Sequence, residues 1–379
     1  MFSDWREDAP VYLAGAAAVT PVVSIVGAEI FLGLALVALF VSGRNLRWPP
    51  VTIPIALWIG WTLVSLAASG HAAGGFPQVK KFIWLPLLFV IYSSIRTVRE
   101  IRMVALGWAA AATLSALWGF EQYVRARLTT PVLFEYTYLN NRITGFMGHW
   151  MTFSGQMMMA LMMIGAILLF STDRKWFGWL IAAAALASVA LLAADTRSMW
   201  GGAAAGAVWL LWRKKKWLVL LVPVLAAAVL AVNPFNVRQR AMDLIKPRQG
   251  VTDSSAHRYV LRRVGWEMIK AHPWVGVGPE QVLPQFKQYI PADVPQPIPT
   301  TWYYGHLHNI YFHYAAERGV PALLALLWIL LGSLFTFAKA LSRLPKDSEA
   351  RWMLHGAMAV TIAVMVSGYW ELNLGDSEV

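Results

Sequence analysis

Apolar positions in this chain fall in long runs, not in the two-residue or three-to-four-residue alternation of half-buried elements. A helix needs about 20 apolar residues to cross a bilayer. Runs of roughly that size recur at about 11–26, 27–42, 51–69, 82–95, 101–121, 149–170, 176–194, 198–212, 217–232, 320–340 and 352–370. The first two belong to one stretch broken by Pro21 and by Gly27-Ala28-Glu29, which predicts two short spans joined by a tight turn. Residues 233–319 form the one long polar interruption. The pattern predicts an all-α polytopic membrane protein of about 11–12 transmembrane helices, with one large loop region between spans 9 and 10. It divides into an N-terminal bundle of about nine spans (1–232), a loop region with amphipathic helices (233–319) and C-terminal transmembrane helices (320–379).

Within the loop region, Arg258, Arg262 and Trp266 recur at helical spacing and predict an amphipathic helix that stops before His272-Pro273. Gly276-Val277-Gly278-Pro279 then predicts a tight turn, without the spacing or preceding strand of a dinucleotide fingerprint. Pro291, Pro295, Pro297 and Pro299 exclude a helix, so the next one is expected to start near His308 and run to Gly319.

Composition agrees: 58% of the 379 residues are hydrophobic, 14% are charged, and 20 are tryptophan. The first apolar segment lacks a cleavage pattern and reads as retained. With no cysteine in the sequence, disulfides, thiolate chemistry and Cys-ligated metal are excluded. A net charge of +12 would suggest nucleic acid in a soluble protein. Here the basic residues lie between apolar runs, so the expected partners are membrane lipids and anionic lipid-linked substrates, not nucleic acid.

Short basic loops face the cytoplasm. With the N-terminus inside, Arg44 and Arg47, Arg96 to Arg102, Arg174-Lys175, Arg213 to Lys216 and Lys339 to Arg351 all fall inside. The 233–319 region then faces outward, to the periplasm in a Gram-negative cell. Yet half of the 32 basic residues remain on the outer side. A long loop crosses regardless of charge, but Lys80-Lys81, Arg142 and Arg197 sit in short loops or beside span ends, where a cation is costly and calls for a role or a partner. Glu29, Asp195 and Glu317 are available as structural partners; the excess beyond them predicts an outward-facing site for a multiply charged anion.

Several residues could carry that site. Asp195-Thr196-Arg197-Ser198 is a polar hinge between two spans, in which Arg197 either holds phosphate oxygens or pairs with Asp195. Gly201-Gly202 behind it permits close backbone approach. Arg142, in Asn140-Asn141-Arg142-Ile143-Thr144-Gly145, could reach a phosphate or a sugar, while His149 and Trp150 read as interfacial. Arg258 and Lys81 could serve the same anion. At the 308–319 helix, the positive end of the dipole disfavours imidazolium and would leave His308 a neutral base. His308, Tyr311, Phe312 and Ala315 share one expected face, and Asn309, His313 and Glu317 a second, polar one. Asn309, Tyr304, His306 and Tyr311 are candidate substrate contacts; Trp302, Tyr303 and Tyr304 read equally as an interfacial belt. A metal on His306, His308, His313 and Glu317 is the weaker alternative, because no carboxylate lies inside the histidine cluster.

Arg258 followed by Pro273-x-x-Gly276-Val277-Gly278, and His308-Asn309 separated by nine residues from Gly319, resemble the O-antigen ligase and polymerase superfamily, its bacterial O-antigen ligase branch in particular. That branch places Gly, Thr or Tyr where this chain has Ala322. Thr196-Arg197-Ser198 and Arg142-x-x-Gly145 also look like superfamily features, and the likeness runs from about residue 140 onward. The resemblance implies a metal-independent, cofactor-free inverting transferase in the bacterial inner membrane with a periplasmic active site. Its donor would be a glycan on undecaprenyl pyrophosphate and its acceptor a hydroxyl of lipid A-core. On this resemblance His308 is the general base, and Arg197 and Arg258, with Arg142 and Lys81, hold the pyrophosphate. Polymerization of lipid-linked repeats and glycosylation of protein side chains are the alternatives within the superfamily. A lipid-linked oligosaccharide transporter is the alternative outside it, with a site nearer the midplane. Family ligases have twelve spans, so a final span is expected beyond the eleven counted here.

Overall fold

A computed structural model describes residues 5–129, 142–245, 254–299 and 304–374. Every regular element among them is helical. The N-terminal bundle comprises α1 (Trp5–Val19), α2 (Ile25–Val41), α3 (Thr52–Ala68), α4 (Ala72–Lys80), α5 (Leu85–Ser94), α6 (Val98–Thr129), α7 (Trp150–Phe170), α8 (Phe177–Ala193), α9 (Arg197–Lys214) and α10 (Leu221–Val232). The polar region carries α11 (Val237–Ile245), α12 (Ser254–Ala271), the short α13 (Val282–Gln285) and α14 (Ile310–Arg318). Helices α15 (Val320–Arg343) and α16 (Arg351–Ser367) follow. The chain is an all-α polytopic membrane protein.

Helix lengths depart from the apolar runs. Among the described residues, α6, α7 and α15 are long and apolar enough to cross a bilayer unaided, while α2, α3, α8, the Lys216–Val232 segment and α16 are shorter apolar helices. Local chemistry sets these ends. Ser24 caps α2 by accepting the Gly27 N–H (3.1 Å), so the break falls at residues 20–24 and Gly27 lies inside the helix. A 3-10 turn over Lys81–Trp84 leaves α5 only ten residues long. Conversely, α6 continues past the expected end near 121 to Thr129. No Pro or Gly interrupts Glu121-Gln122-Tyr123-Val124-Arg125, and Arg125 pairs with Glu121 one turn back (2.6 Å).

Two polar clusters mark the bundle's ends. At the C-terminal end of α7, Arg102 pairs with Asp173 and Glu349 and donates to Ser171 (3.0 Å), uniting three loops expected on the inner side. At the N-terminal end of α7, Arg142 meets Asp195, uniting two expected on the outer side. The 21 residues of α7 separate these clusters by about 30 Å, the thickness of a hydrocarbon core.

Two close approaches position the functional end. Helices α9 and α16 touch backbone to backbone: a Cβ on Gly202 would lie 2.6 Å from the Ala363 carbonyl, and one on Gly206 2.9 Å from that of Ala359. Small residues on both helices allow this, as in membrane helix pairs generally. Gly202 thus meets the expectation of a close approach, whereas Gly201 meets only Trp370 at ordinary contact distance (3.8 Å).

The polar region is fastened just as tightly. Backbone bonds run from Val277 to Ala316, from Gly278 to Glu317 (both 2.9 Å) and from Val320 to Pro273 (2.8 Å). Gly319, with φ +85°, presses against Trp274, where a Cβ would come within 1.9 Å of the carbonyl oxygen. From α3, Ser65 Oγ donates to the Val275 carbonyl (2.6 Å) and Trp61 Nε1 to that of Trp274 (2.9 Å). Beneath them Arg318, 1% exposed, pairs with Glu317 (2.9 Å) and donates to Gln78 (2.9 Å) and Thr62 (3.3 Å), between the rings of Trp58 and Tyr314. This anchor joins the polar region to α3 and α4.

Candidate active site

Helix α14 begins at Ile310, because Asn309 is its N-cap: Oδ1 accepts the N–H groups of Tyr311 and Phe312 (both 2.9 Å). His308 therefore precedes the helix instead of opening it, and the expected shared face of His308 and Tyr311 is not formed. Leu307, buried under α12, and Ile310, buried with its N–H bonded to the Gly368 carbonyl (2.8 Å), pin the backbone on both sides. Between them His308 takes the left-handed conformation, φ +45°, uncommon for a side chain of this size.

That conformation sets the imidazole against a partner the sequence reading missed. His308 Nδ1 is hydrogen-bonded to the carboxylate of Glu371, whose second oxygen lies 3.2 Å from Arg258. Glu371 follows α16 and is 2% exposed. Burial pushes its carboxyl upward, but the charges of His308 and Arg258 outweigh that and hold it below the usual glutamate range. The electrostatics of His308 thus differ from the expectation: a carboxylate contact dominates, not the bare pole of a helix. With Nδ1 engaged, Nε2 is the nitrogen left for a reacting proton.

His308 and Glu371 line a cavity of about 180 Å³ together with Arg142, Arg197, Arg258, Asp195 and His257. Arg197 opens α9, with Thr196 as N-cap. Arg142 donates to the Asp195 carbonyl (2.9 Å), lies 3.7 Å from the Asp195 carboxylate and covers the Trp150 ring (5.2 Å). Three guanidinium groups against two carboxylates leave this cavity net positive. Guanidinium groups of this kind suit anionic oxygens. Asp195 and Glu317 do act as structural partners, for Arg142 and Arg318 respectively, whereas Glu29 is exposed.

A second cavity, about 320 Å³, adjoins the first across Met151 and Glu371. Lys81, His306, His313, Gln78, Glu280 and Asn373 are among its lining residues. His306 stands 4.2 Å from the His308 ring, and burial together with the neighbouring His308 charge drives it down to about 3. Tyr304 and Tyr311 are turned to structural bonds: Tyr304 donates to the Pro299 carbonyl (2.7 Å) and Tyr311 to that of Met365 (2.8 Å). The Asn309 amide is likewise occupied, its nitrogen donating to the Tyr369 carbonyl (2.8 Å). Trp302 and Tyr303 lie outside the described residues.

For a metal, His306, His308 and Glu371 offer atoms within 4.8 Å of one another. They fit a cation poorly, because the carboxylate is already shared by His308 and Arg258 and the guanidinium opposes a second positive charge. His313 belongs to a separate pair, 3.6 Å from Glu317.

Sequence signals for the missed residues were weak. Glu371 stands in Tyr369-Trp370-Glu371-Leu372-Asn373-Leu374, a lone acid in an otherwise apolar, amide-punctuated tail after a span. An isolated carboxylate at such a depth was the available clue. His257, one residue before Arg258, had none.

Fold and site together define a membrane-embedded protein with an arginine-rich cavity built around a histidine–carboxylate pair. Residues 182–327 match the family model described as O-antigen ligase, a stretch that contains Arg197, Arg258 and His308. This match supports membership of the O-antigen ligase superfamily. No curated protein matches the chain.

Proposed function

We propose that this protein transfers a glycan from undecaprenyl pyrophosphate to a hydroxyl of lipid A-core, at the periplasmic face of the bacterial inner membrane. The observation that carries the reading is the convergence of Arg142, Arg197, Arg258 and the His308–Glu371 pair on one cavity at one end of the bundle. On this reading the polar region 233–319 is periplasmic. Short basic loops at the opposite end support the orientation.

In the proposed step, His308 Nε2 takes the proton from the acceptor hydroxyl while its oxygen attacks the anomeric carbon. The bond from that carbon to the pyrophosphate oxygen breaks, and its electron pair leaves with the lipid pyrophosphate. The sugar inverts. Glu371 fixes the imidazole orientation and stabilizes the imidazolium. Arg142, Arg197 and Arg258 offset the charge growing on the leaving group, the task cationic clamps perform in phosphoryl chemistry. Lys81, in the adjoining cavity, adds positive charge from the other side.

The test is mass analysis of purified protein with lipid-linked donor and lipid A-core. Transfer to the core, lost in His308→Ala and Arg197→Ala proteins that still fold, is the expected result. Near-normal turnover in either variant would refute the mechanism. Chain growth with donor alone would identify a polymerase instead, and absence of any product in detergent would favour transport.

A further inference from the structure

Asn373 and His313, which line the larger cavity, each keep a buried polar atom without a hydrogen-bond partner. Asn373, 3% exposed, donates its amide nitrogen to Ser367 Oγ (2.6 Å) and the Val364 carbonyl (3.2 Å), which fixes the amide orientation and leaves Oδ1 unbonded. His313, 4% exposed, turns Nε2 toward the Glu317 carboxylate (3.6 Å) and leaves Nδ1 unbonded. Glu317 is held ionized: burial raises it, but His313, Arg318 and the Glu280 N–H bring it to about 2. Nε2 faces that carboxylate with a proton, and Nδ1 is left as an unmet ring nitrogen. Both residues line the cavity, Asn373 with an acceptor oxygen and His313 with a polar ring nitrogen. Buried polar atoms without partners are costly enough to imply that something supplies them.

The supplier must donate to the Asn373 oxygen, meet the His313 nitrogen and carry no negative charge. Lys81 is the one basic side chain on this wall, and it is countered by the carboxylates of Glu280 and Glu371. That wall is unsuited to a pyrophosphate, which has a better site in the arginine cavity next door. At about 320 Å³ the space falls within the range of small-molecule sites, roughly 300–1,000 Å³. Neutral hydroxyl donors at this density describe a sugar ring.

Position decides which sugar. Displacement with inversion places nucleophile and leaving group on opposite sides of the reacting carbon. The two cavities meet at Glu371, beside His308. With pyrophosphate in the arginine cavity, a hydroxyl approaching the same carbon from the far side comes out of the larger one.

We propose that the cavity lined by His313, Asn373, Gln78 and Lys81 is the subsite for the acceptor's sugar ring, with Asn373 Oδ1 accepting a hydrogen bond from one hydroxyl and His313 Nδ1 bonded to another. This rests on the transferase reading above. It makes both residues determinants of acceptor recognition, without contact to the departing pyrophosphate.

The experiment is steady-state transfer by the full-length protein, varying donor and lipid A-core separately. Asn373→Leu and His313→Gln are compared with wild type; the glutamine retains a donor toward Glu317 and loses the Nδ1 group, so it serves if Asn373→Leu does not fold. Expected is a rise of about tenfold or more in KM for the acceptor, with KM for the donor within twofold. An unchanged acceptor KM with transfer intact overturns the subsite and leaves the transferase reading standing. A rise in the donor KM alone also overturns it, by giving the cavity to the donor. If wild type transfers nothing, the transferase reading fails and the subsite fails with it.

Discussion

Glu371 holds Nδ1 of His308 across 63 residues of chain, and its other oxygen holds Arg258. One buried carboxylate thus organizes both the proposed base and one of the cations. Glu371→Gln keeps the size but can neither stabilize an imidazolium nor balance Arg258. We expect its turnover to fall by about 10²–10⁴, comparable with loss of the base itself. The measurement is kcat with saturating donor and acceptor, alongside thermal unfolding to show that the variant folds.

His306 stays neutral across working pH, being held near 3 by burial and by His308. It contributes no titration to the reaction. In His306→Gln the acidic limb of the pH–rate profile should remain where wild type has it, whatever happens to the rate. A moved limb would show that His306 is the titrating group.

Part of the acid sensitivity should come from Glu317. Its folded value is about 2 against an ordinary value of 4.5. A depressed carboxylate adds stability above its unfolded pKa, and that stability is lost as pH falls through the window from about 4.5 to about 2. Thermal unfolding in detergent is expected to be level from neutrality to about pH 5 and to decline below it. Glu317→Gln should be less stable at neutral pH and show a flatter acid decline.

The anchor beneath the polar region can be broken from the other side. Arg318→Met leaves Glu317 buried without its cation, and removing one member of such a pair costs about 3–5 kcal/mol. Limited proteolysis of the 254–299 region should accelerate as its attachment to α3 and α4 loosens.

Helix contact supplies a prediction with an internal control. Gly202→Val drives side-chain atoms into the Ala363 carbonyl and should cost about 1–3 kcal/mol or more, with loss of activity as Arg197 moves away from Glu371. Gly201→Ala, which meets only Trp370 at 3.8 Å, should be near neutral in unfolding temperature and turnover.

The legible part of this molecule was its periodicity and its misplaced charge. Apolar runs marked nearly every helix of the bundle, and cations in short outer loops singled out Arg142 and Arg197, which share one cavity with Arg258, a residue marked by the family resemblance instead. Helix ends were less legible: a single Ser24 hydroxyl or the Glu121–Arg125 pair moved them by several residues. Glu371 was hidden for a different reason. Its significance depends on α16 returning beside α9, a closeness set by Gly202 and Ala363 that no local pattern around Glu371 announces. Asn309 and Tyr311 looked like substrate contacts because polar atoms beside a histidine suggest chemistry, yet both are occupied by backbone.

Placing Glu371 beyond the final described helix has a consequence for biosynthesis. Arg142, Arg197 and Arg258 emerge from the ribosome before Glu371, and His308 has no carboxylate partner until the segment after α16 has been made and threaded back beside α9. A nascent chain that has not reached residue 371 carries the guanidinium groups without the contact that orients His308. The order of synthesis itself therefore delays assembly of the pair.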